Sequence, residues 1–253
     1  MTMIHLRMSD KIYICPFKAK RFGVENWGIY NSFDQIIEED VGRGDLFEQT
    51  PIYVSFRRVF SLGHQWEDTP FFRQNARKIE QGVPLWRCTS REELLHRLNT
   101  DIRGLHASMK QFGFLSQARI EELAGRDSVE RETLLPFLRP DYPARLKPSH
   151  EIKIGINELG ELLFLDGRHR LSIARVLGIE DIPARVVFRH SKMIAVREQL
   201  QQAALADLPG DPQYRPTHPD LRACGLSAAS VESVSRRLSQ AGLPVPGFEA
   251  VPA

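Results

Sequence analysis

The segment from Leu162 to Phe188 constrains the fold of this chain more than any other. Leu162 to Leu165 is an apolar run that stops at Asp166-Gly167. The residues that follow place Leu171, Ala174 and Leu177 at helical spacing, and Gly178 is a natural stop. Ile182 to Phe188 then reads as a strand again. A strand that turns within two residues into a helix, and returns as a strand, requires a sheet with helices packed on it. The predicted class is therefore α/β (α+β), a small mixed sheet with flanking helices.

The residues before this segment extend the sheet. In Glu151 to Ile156 the isoleucines 152, 154 and 156 alternate, Asn157 to Gly160 supplies a turn, and Glu161 to Leu165 is the return strand of a hairpin. Further upstream, Ser90 and Glu93 have capping-box spacing. Leu94, Leu98, Ile102, Leu105, Met109 and Phe112 then form one apolar stripe predicted as a single long helix, closed by Gly113. Leu115 to Ile120 is expected to be a short strand. Residues 125–149 are charged and proline-rich and read as an inserted loop.

Outside this core, Lys11 to Phe17 reads as a strand, and Pro51 to Phe60 as either a strand or a buried helix. Thr69 and Pro70 have the residue types of an N-cap and first helical position, and Gly82 suits the stop of that helix. Helices are also expected at about 191–206 and 227–240, with a loose end. The resulting division is an N-terminal extension at 1–89, a central domain at 90–190 and a helical C-terminal region at 191–253.

Bulk properties exclude more than they identify. Of 253 residues, 42% are hydrophobic and 26% charged, as in ordinary globular domains. A net charge of +2, with acids interleaved among the arginines, gives no continuous basic stripe for nucleic acid. Cys15, Cys88 and Cys224 lack metal-ligand spacing and are too few for a disulfide scaffold. No apolar run reaches the roughly 20 residues of a membrane span, and no signal-like segment opens the sequence. The expectation is a cytoplasmic protein without a membrane partner.

The chemistry concentrates at Asp166-Gly167-Arg168-His169-Arg170. Gly167 permits a tight turn and close approach of a ligand. The first N–H groups of a helix point outward, and with the helix dipole they favour an anion. Arg168 and Arg170 present planar forks matched to phosphate oxygens, and His169 donates a hydrogen bond or exchanges a proton. Asp166 is suited to a magnesium ion, to orienting an arginine, or to acting as a base. The same residues also read as a simple turn with Asp166 capping the helix and the arginines solvated. Glu158 and Glu161 are weaker candidates for a base. Arg185, Arg189 and His190 are a candidate extension of the basic rim, or plain edge residues. His218 and Asp220 are candidates for a functional loop, while His64, His106 and Trp66 read as structural.

The stretch LDGRHRLSIARVLGIEDIPARVV, Leu165 to Val187, resembles the hallmark of the ParB/sulfiredoxin superfamily, whose members hold nucleotide phosphates on a glycine turn after a strand. The segment Leu105 to Gln117 is similar to the element that precedes a strand lining the family's nucleotide site, and Gln117 is the matching position. The resemblance implies a nucleotide-binding domain, with Gln117, Gly167, Arg168, His169 and Arg170 at the nucleotide and Asp166 at a metal. Chromosome-partitioning members carry Glu, and sulfiredoxins a reactive Cys, where this chain has Arg168. Clamp behaviour is thereby put in doubt, and thiolate chemistry is excluded. The pattern D-G-x-H-R is similar to that of free-serine kinases of this fold. It implies ATP or another nucleotide, magnesium, and phosphoryl transfer to a small hydroxyl-bearing substrate, with Asp166 and His169 as catalytic groups. Two alternatives stand beside it: a nucleotide-dependent, DNA-associated regulatory protein without turnover, and a degenerate binding scaffold. The kinase-like reading also predicts that Arg170→Ala weakens nucleotide binding with little loss of stability.

Overall fold

The computed structural model describes residues 12–23, 35–41, 43–116, 119–120, 122, 151–206 and 228–243. It is an α/β structure whose described strands form one seven-stranded mixed sheet. The strands are β1 (Ile12–Ile14), β2 (Arg21–Gly23), β3 (Gln35–Ile37), β4 (Arg43–Leu46), β5 (Ile152–Ile156), β6 (Leu162–Asp166) and β7 (Ile182–His190). They are ordered β1-β7-β5-β6-β2-β4, with β3 also on β7. The helices are α1 (Pro51–Leu62), α2 (Pro70–Glu80), α3 (Arg91–Arg97), α4 (Arg103–Phe112), α5 (Arg168–Val176), α6 (Ser191–Ala206) and α7 (Ala228–Gln240).

The chain divides into two compact, discontinuous units. The first, residues 1–44, 153–166 and 181–253, contains the sheet. The second, residues 45–152 and 167–180, is helical. These units cut across the three consecutive regions suggested by composition, because strands drawn from the first 44 residues join the central hairpin in one sheet.

In the sheet unit, the predicted hairpin forms β5 and β6, paired antiparallel with Ile156 opposite Leu162 and Lys153 opposite Asp166. Asn157 builds the turn: its Oδ1 accepts from the N–H groups of Leu159 and Glu161 at 3.1 and 2.8 Å. Alternation gave only half of β5's burial. All five residues are buried, Lys153 and Gly155 included. A Cβ on Gly155 would come within 2.1 Å of the Phe188 ring, so this glycine makes room for an aromatic residue of β7. The opposite ends of β7 take β1, antiparallel, and β3, parallel. Phe22 of β2 meets Phe164 of β6 edge-on at 5.1 Å.

In the helical unit, Pro51 to Phe60 lies in α1, which settles the alternative between strand and helix. Thr50 caps it by accepting from Tyr53 N, Pro51 takes the first turn, and Gly63 ends it in the left-handed conformation. Thr69 and Pro70 start α2 as expected, with Thr69 Oγ1 accepting from Phe72 N at 3.3 Å. Ser90 caps α3 through Glu93 N at 3.1 Å.

The predicted long helix is corrected in detail. A π-helical turn at Leu98–Ile102 separates α3 from α4 and shifts the facing residues. Leu94, Leu98, Ile102 and Met109 are buried, whereas Leu105 and Phe112 are only half-buried. The strand expected at 115–120 is also absent among its described residues. Ser116 instead accepts from Arg119 N and Ile120 N, and Arg119-Ile120 are helical. The insertion at 125–149 lies outside the described residues. Among those described, no helix is long and apolar enough to cross a membrane.

Candidate functional site

Strand β6 ends at Asp166, and helix α5 begins at Arg168. Between them Gly167 has φ 95° and ψ 26°, a left-handed conformation that favours glycine. A Cβ here would lie 2.9 Å from Ile152 Cγ1 and 3.2 Å from Ile152 Cα. Two independent constraints therefore require glycine at the turn.

The N-cap of α5 is Gly167 itself, which has no side chain to cap with. Within the sheet unit, the largely exposed carboxylate of Asp166 lies 3.7 Å from the ammonium of Lys153, whose side chain is only 8% exposed. Glu158 and Glu161 belong to the turn at the other end of β6. With about 3.3 Å per strand residue, that turn is on the order of 13 Å from Asp166. Glu161 also accepts from Asn157 Nδ2 at 2.9 Å, which ties it to the hairpin.

The first turn of α5 carries arginines and no acid. Arg168 is exposed. Arg170 is mostly buried, with Nη1 3.7 Å from Oε2 of the buried Glu151 and its guanidinium 5.8 Å from the Phe114 ring centre. Cations at a helix N-terminus oppose the helix dipole, which places positive partial charge at that same end. Glu151 supplies negative charge beside Arg170.

His169 points into an aromatic cluster. Its ring centre is 5.9 Å from that of Phe56 and 5.0 Å, edge-on, from that of Trp86. Nε2 is sealed from solvent and makes no hydrogen bond. Burial, reinforced by Arg168 and Arg170, pushes its pKa down to about 3. The imidazole is therefore neutral at physiological pH.

Trp86 and Arg87 stand out in the backbone. Their φ angles are 51° and 67°, and they are the non-glycine residues with positive φ among those described. They occupy a two-residue turn between Leu85 and Cys88, with Cys88 N donating to Leu85 O at 2.8 Å. Arg97 braces the turn by donating to Trp86 O, and is itself paired with Asp101 at 3.0 Å. Trp86, Phe56 and Glu151 had no sequence signal. The Trp-Arg pair lacks the Asn-Gly chemistry that normally marks such a turn.

The other candidates are placed as follows. Gln117, His218 and Asp220 lie outside the described residues. Arg189 and His190 are buried in β7, with His190 Nε2 3.1 Å from Glu38 O and Nδ1 accepting from Lys192 N, so these two form no exposed basic rim. Arg185 is half-buried and His64 exposed. His106 stacks on Phe60 with ring centres 4.0 Å apart, and burial with Lys110 and Arg103 lowers its pKa. Trp66 is buried against Phe56 and Phe60, as expected for a structural residue.

Comparison with known proteins returns no match to any family model, curated protein or solved structure. The superfamily resemblance therefore rests on sequence motifs, Leu105 to Gln117 and Leu165 to Val187 foremost, with Gly63 to Thr69 and His218 to Leu221 as flanking likenesses.

Proposed function

We propose that this chain binds a nucleotide through its phosphates at the start of α5, as a ParB/sulfiredoxin-like protein. The observation that carries the reading is electrostatic. The first turn of α5 joins a glycine favoured by its backbone and its surroundings to Arg168, His169 and Arg170, with no acid in that turn. N–H groups at a helix start, with two arginines on its first turn, suit phosphate oxygens.

ATP is the first ligand to try, and the enzymatic form of the reading is phosphoryl transfer to a small hydroxyl-bearing molecule. Among the described residues no three His, Cys, Asp or Glu stand together as a metal cage. Magnesium would arrive on the phosphates, where it neutralises charge, with Asp166 as a protein ligand. The neutral His169 would hold a position by hydrogen bonding.

One observation favours a second reading. Arg170 and Asp166 each have an ion-pair partner, Glu151 and Lys153. A binding scaffold that keeps this turn without turnover has the same pairs. Thermal unfolding with ATP, ADP, CTP and GTP, each with and without magnesium, separates the two. A real ligand raises the Tm by mass action. Selective stabilisation by ATP or ADP supports the kinase-like form, and stabilisation by CTP the regulatory one. No stabilisation by any nucleotide leaves the scaffold.

A further inference from the structure

Arg168 and Arg170 share the first turn of α5 but are held differently. Arg168 is exposed, whereas the side chain of Arg170 is 17% exposed. Nη1 of Arg170 is sealed from solvent and lies 3.7 Å from Oε2 of Glu151. The other terminal nitrogen, Nη2, lies beside the turn: a Cβ built on Gly167 would stand 3.5 Å from it. Cζ lies over the Phe114 ring, 5.8 Å from its centre. A guanidinium is planar, so a carboxylate at one end and a ring against one face fix the direction of its remaining N–H groups. Glu151 is itself well anchored. It is 3% exposed, and the next residue, Ile152, is the one whose Cα would lie 3.2 Å from a Cβ on Gly167. Stability is a poor reason for such a pair. Desolvating both charges offsets their attraction, and apolar residues of similar size often do as well. What the pair achieves is direction: it sets Nη2 of Arg170 at the glycine turn.

We propose that Glu151 is a positioning residue of the phosphate site, holding the Arg170 guanidinium by Nη1 so that Nη2 is presented at Gly167 to a phosphate oxygen. The inference rests on the phosphate reading above and adds to it the group that presets one of its arginines. Glu151 touches no ligand and acts through Arg170. Its carboxylate is buried with its cation and stays there when an anion arrives, so the phosphate takes the donors that Glu151 leaves. An arginine already fixed in its bound direction loses less entropy on binding than one that must be ordered.

Calorimetric titration of inorganic tripolyphosphate with magnesium tests this on the wild type, Glu151→Gln, Glu151→Asp and Gly178→Ala, with affinity taken per folded molecule from the stoichiometry. Glu151→Gln keeps the shape and removes the charge, and should weaken tripolyphosphate about tenfold. Glu151→Asp keeps the charge but withdraws it by one methylene, and should show a smaller loss of the same sign. It carries the test if Glu151→Gln does not fold. Gly178→Ala, which strains the chain just past the far end of α5, should bind as the wild type does. Wild-type affinity in the folded Glu151 variants overturns the positioning role and leaves the phosphate reading standing. Tighter binding in Glu151→Gln also overturns it, because the carboxylate then competes with the ligand for Arg170. An equal loss in Gly178→Ala overturns it too, since any weakening of the helix would then suffice. A wild type that does not bind tripolyphosphate overturns the phosphate reading itself, and the positioning role with it.

Discussion

Nη1 of Arg170 lies 3.7 Å from Oε2 of Glu151, a carboxylate whose side chain is 3% exposed. This pairing changes what a substitution at Arg170 does. Sequence alone predicts that Arg170→Ala spares stability, since the side chain is taken to face a ligand. With Glu151 buried beside it, truncation removes a cation from the surroundings of a desolvated carboxylate, at a cost of about 1–3 kcal/mol. Urea unfolding of Arg170→Ala should show that loss, and adding Glu151→Gln should recover much of it. Additive losses in the double variant would show that the pair is not coupled.

Gly167→Ala should destabilise the protein by roughly 1–3 kcal/mol, because it combines a left-handed φ with a 2.9 Å approach to Ile152. Gly178→Ala is the control: its φ is 68°, but no atom lies within 4 Å of the added carbon. Denaturant midpoints should fall further for Gly167→Ala than for Gly178→Ala. Equal shifts would mean that backbone strain alone matters at the turn.

His169, half-buried with its Nε2 closed off from solvent, makes a pH prediction with a definite sign. Its folded pKa of about 3 lies below the ordinary 6.5, so between those values the unfolded chain holds a proton that the folded chain does not. Stability therefore falls as pH drops from about 6.5 towards 3, and this contribution is constant above and below that window. His169→Gln, which cannot take up the proton, should show a shallower decline in urea midpoint between pH 7 and pH 4.5. An unchanged decline would place the acid sensitivity on other groups.

Arg175 illustrates a cation whose role is packing. Its side chain has no exposed surface, its guanidinium lies 4.7 Å from the Phe47 ring centre, and its acidic partner Glu48 is 62% exposed at 3.4 Å. Glu48→Gln removes the charge but keeps a side-chain oxygen that can accept from the buried guanidinium, so it should cost less than Arg175→Ala. Arg175→Ala removes the stem and the stacked plane together and should cost about 2 kcal/mol or more. Thermal unfolding of the two variants compares them directly.

What could be read from the sequence follows the periodicity and the caps. Thr69-Pro70, Ser90 with Glu93, the hairpin at 152–166 and the turn at Gly167 all carry local chemistry that fixes local structure, and each forms as expected. The π-turn at Leu98–Ile102 was not legible, because a continuous apolar stripe hides one inserted residue. Recruitment of β1 to β4 into the sheet depends on pairings between residues far apart in the chain. Lys153 reads as the polar side of an alternating strand, yet both faces of β5 are buried. The candidate site was legible as a motif, but its aromatic wall was not, since Phe56 and Trp86 come from distant segments.

Arg168 gives the most direct test of nucleotide binding at the start of α5. Its side chain is exposed, so Arg168→Ala should leave stability within about 0.5 kcal/mol of the wild type. The measurement is a calorimetric titration of ATP with magnesium into wild type and Arg168→Ala, at low and at raised salt. The account predicts that wild type binds, that Arg168→Ala binds several-fold more weakly, and that the gap narrows as salt screens the exposed charge. Wild-type binding that Arg168→Ala leaves untouched at both salt concentrations, or no wild-type binding at all, would contradict it.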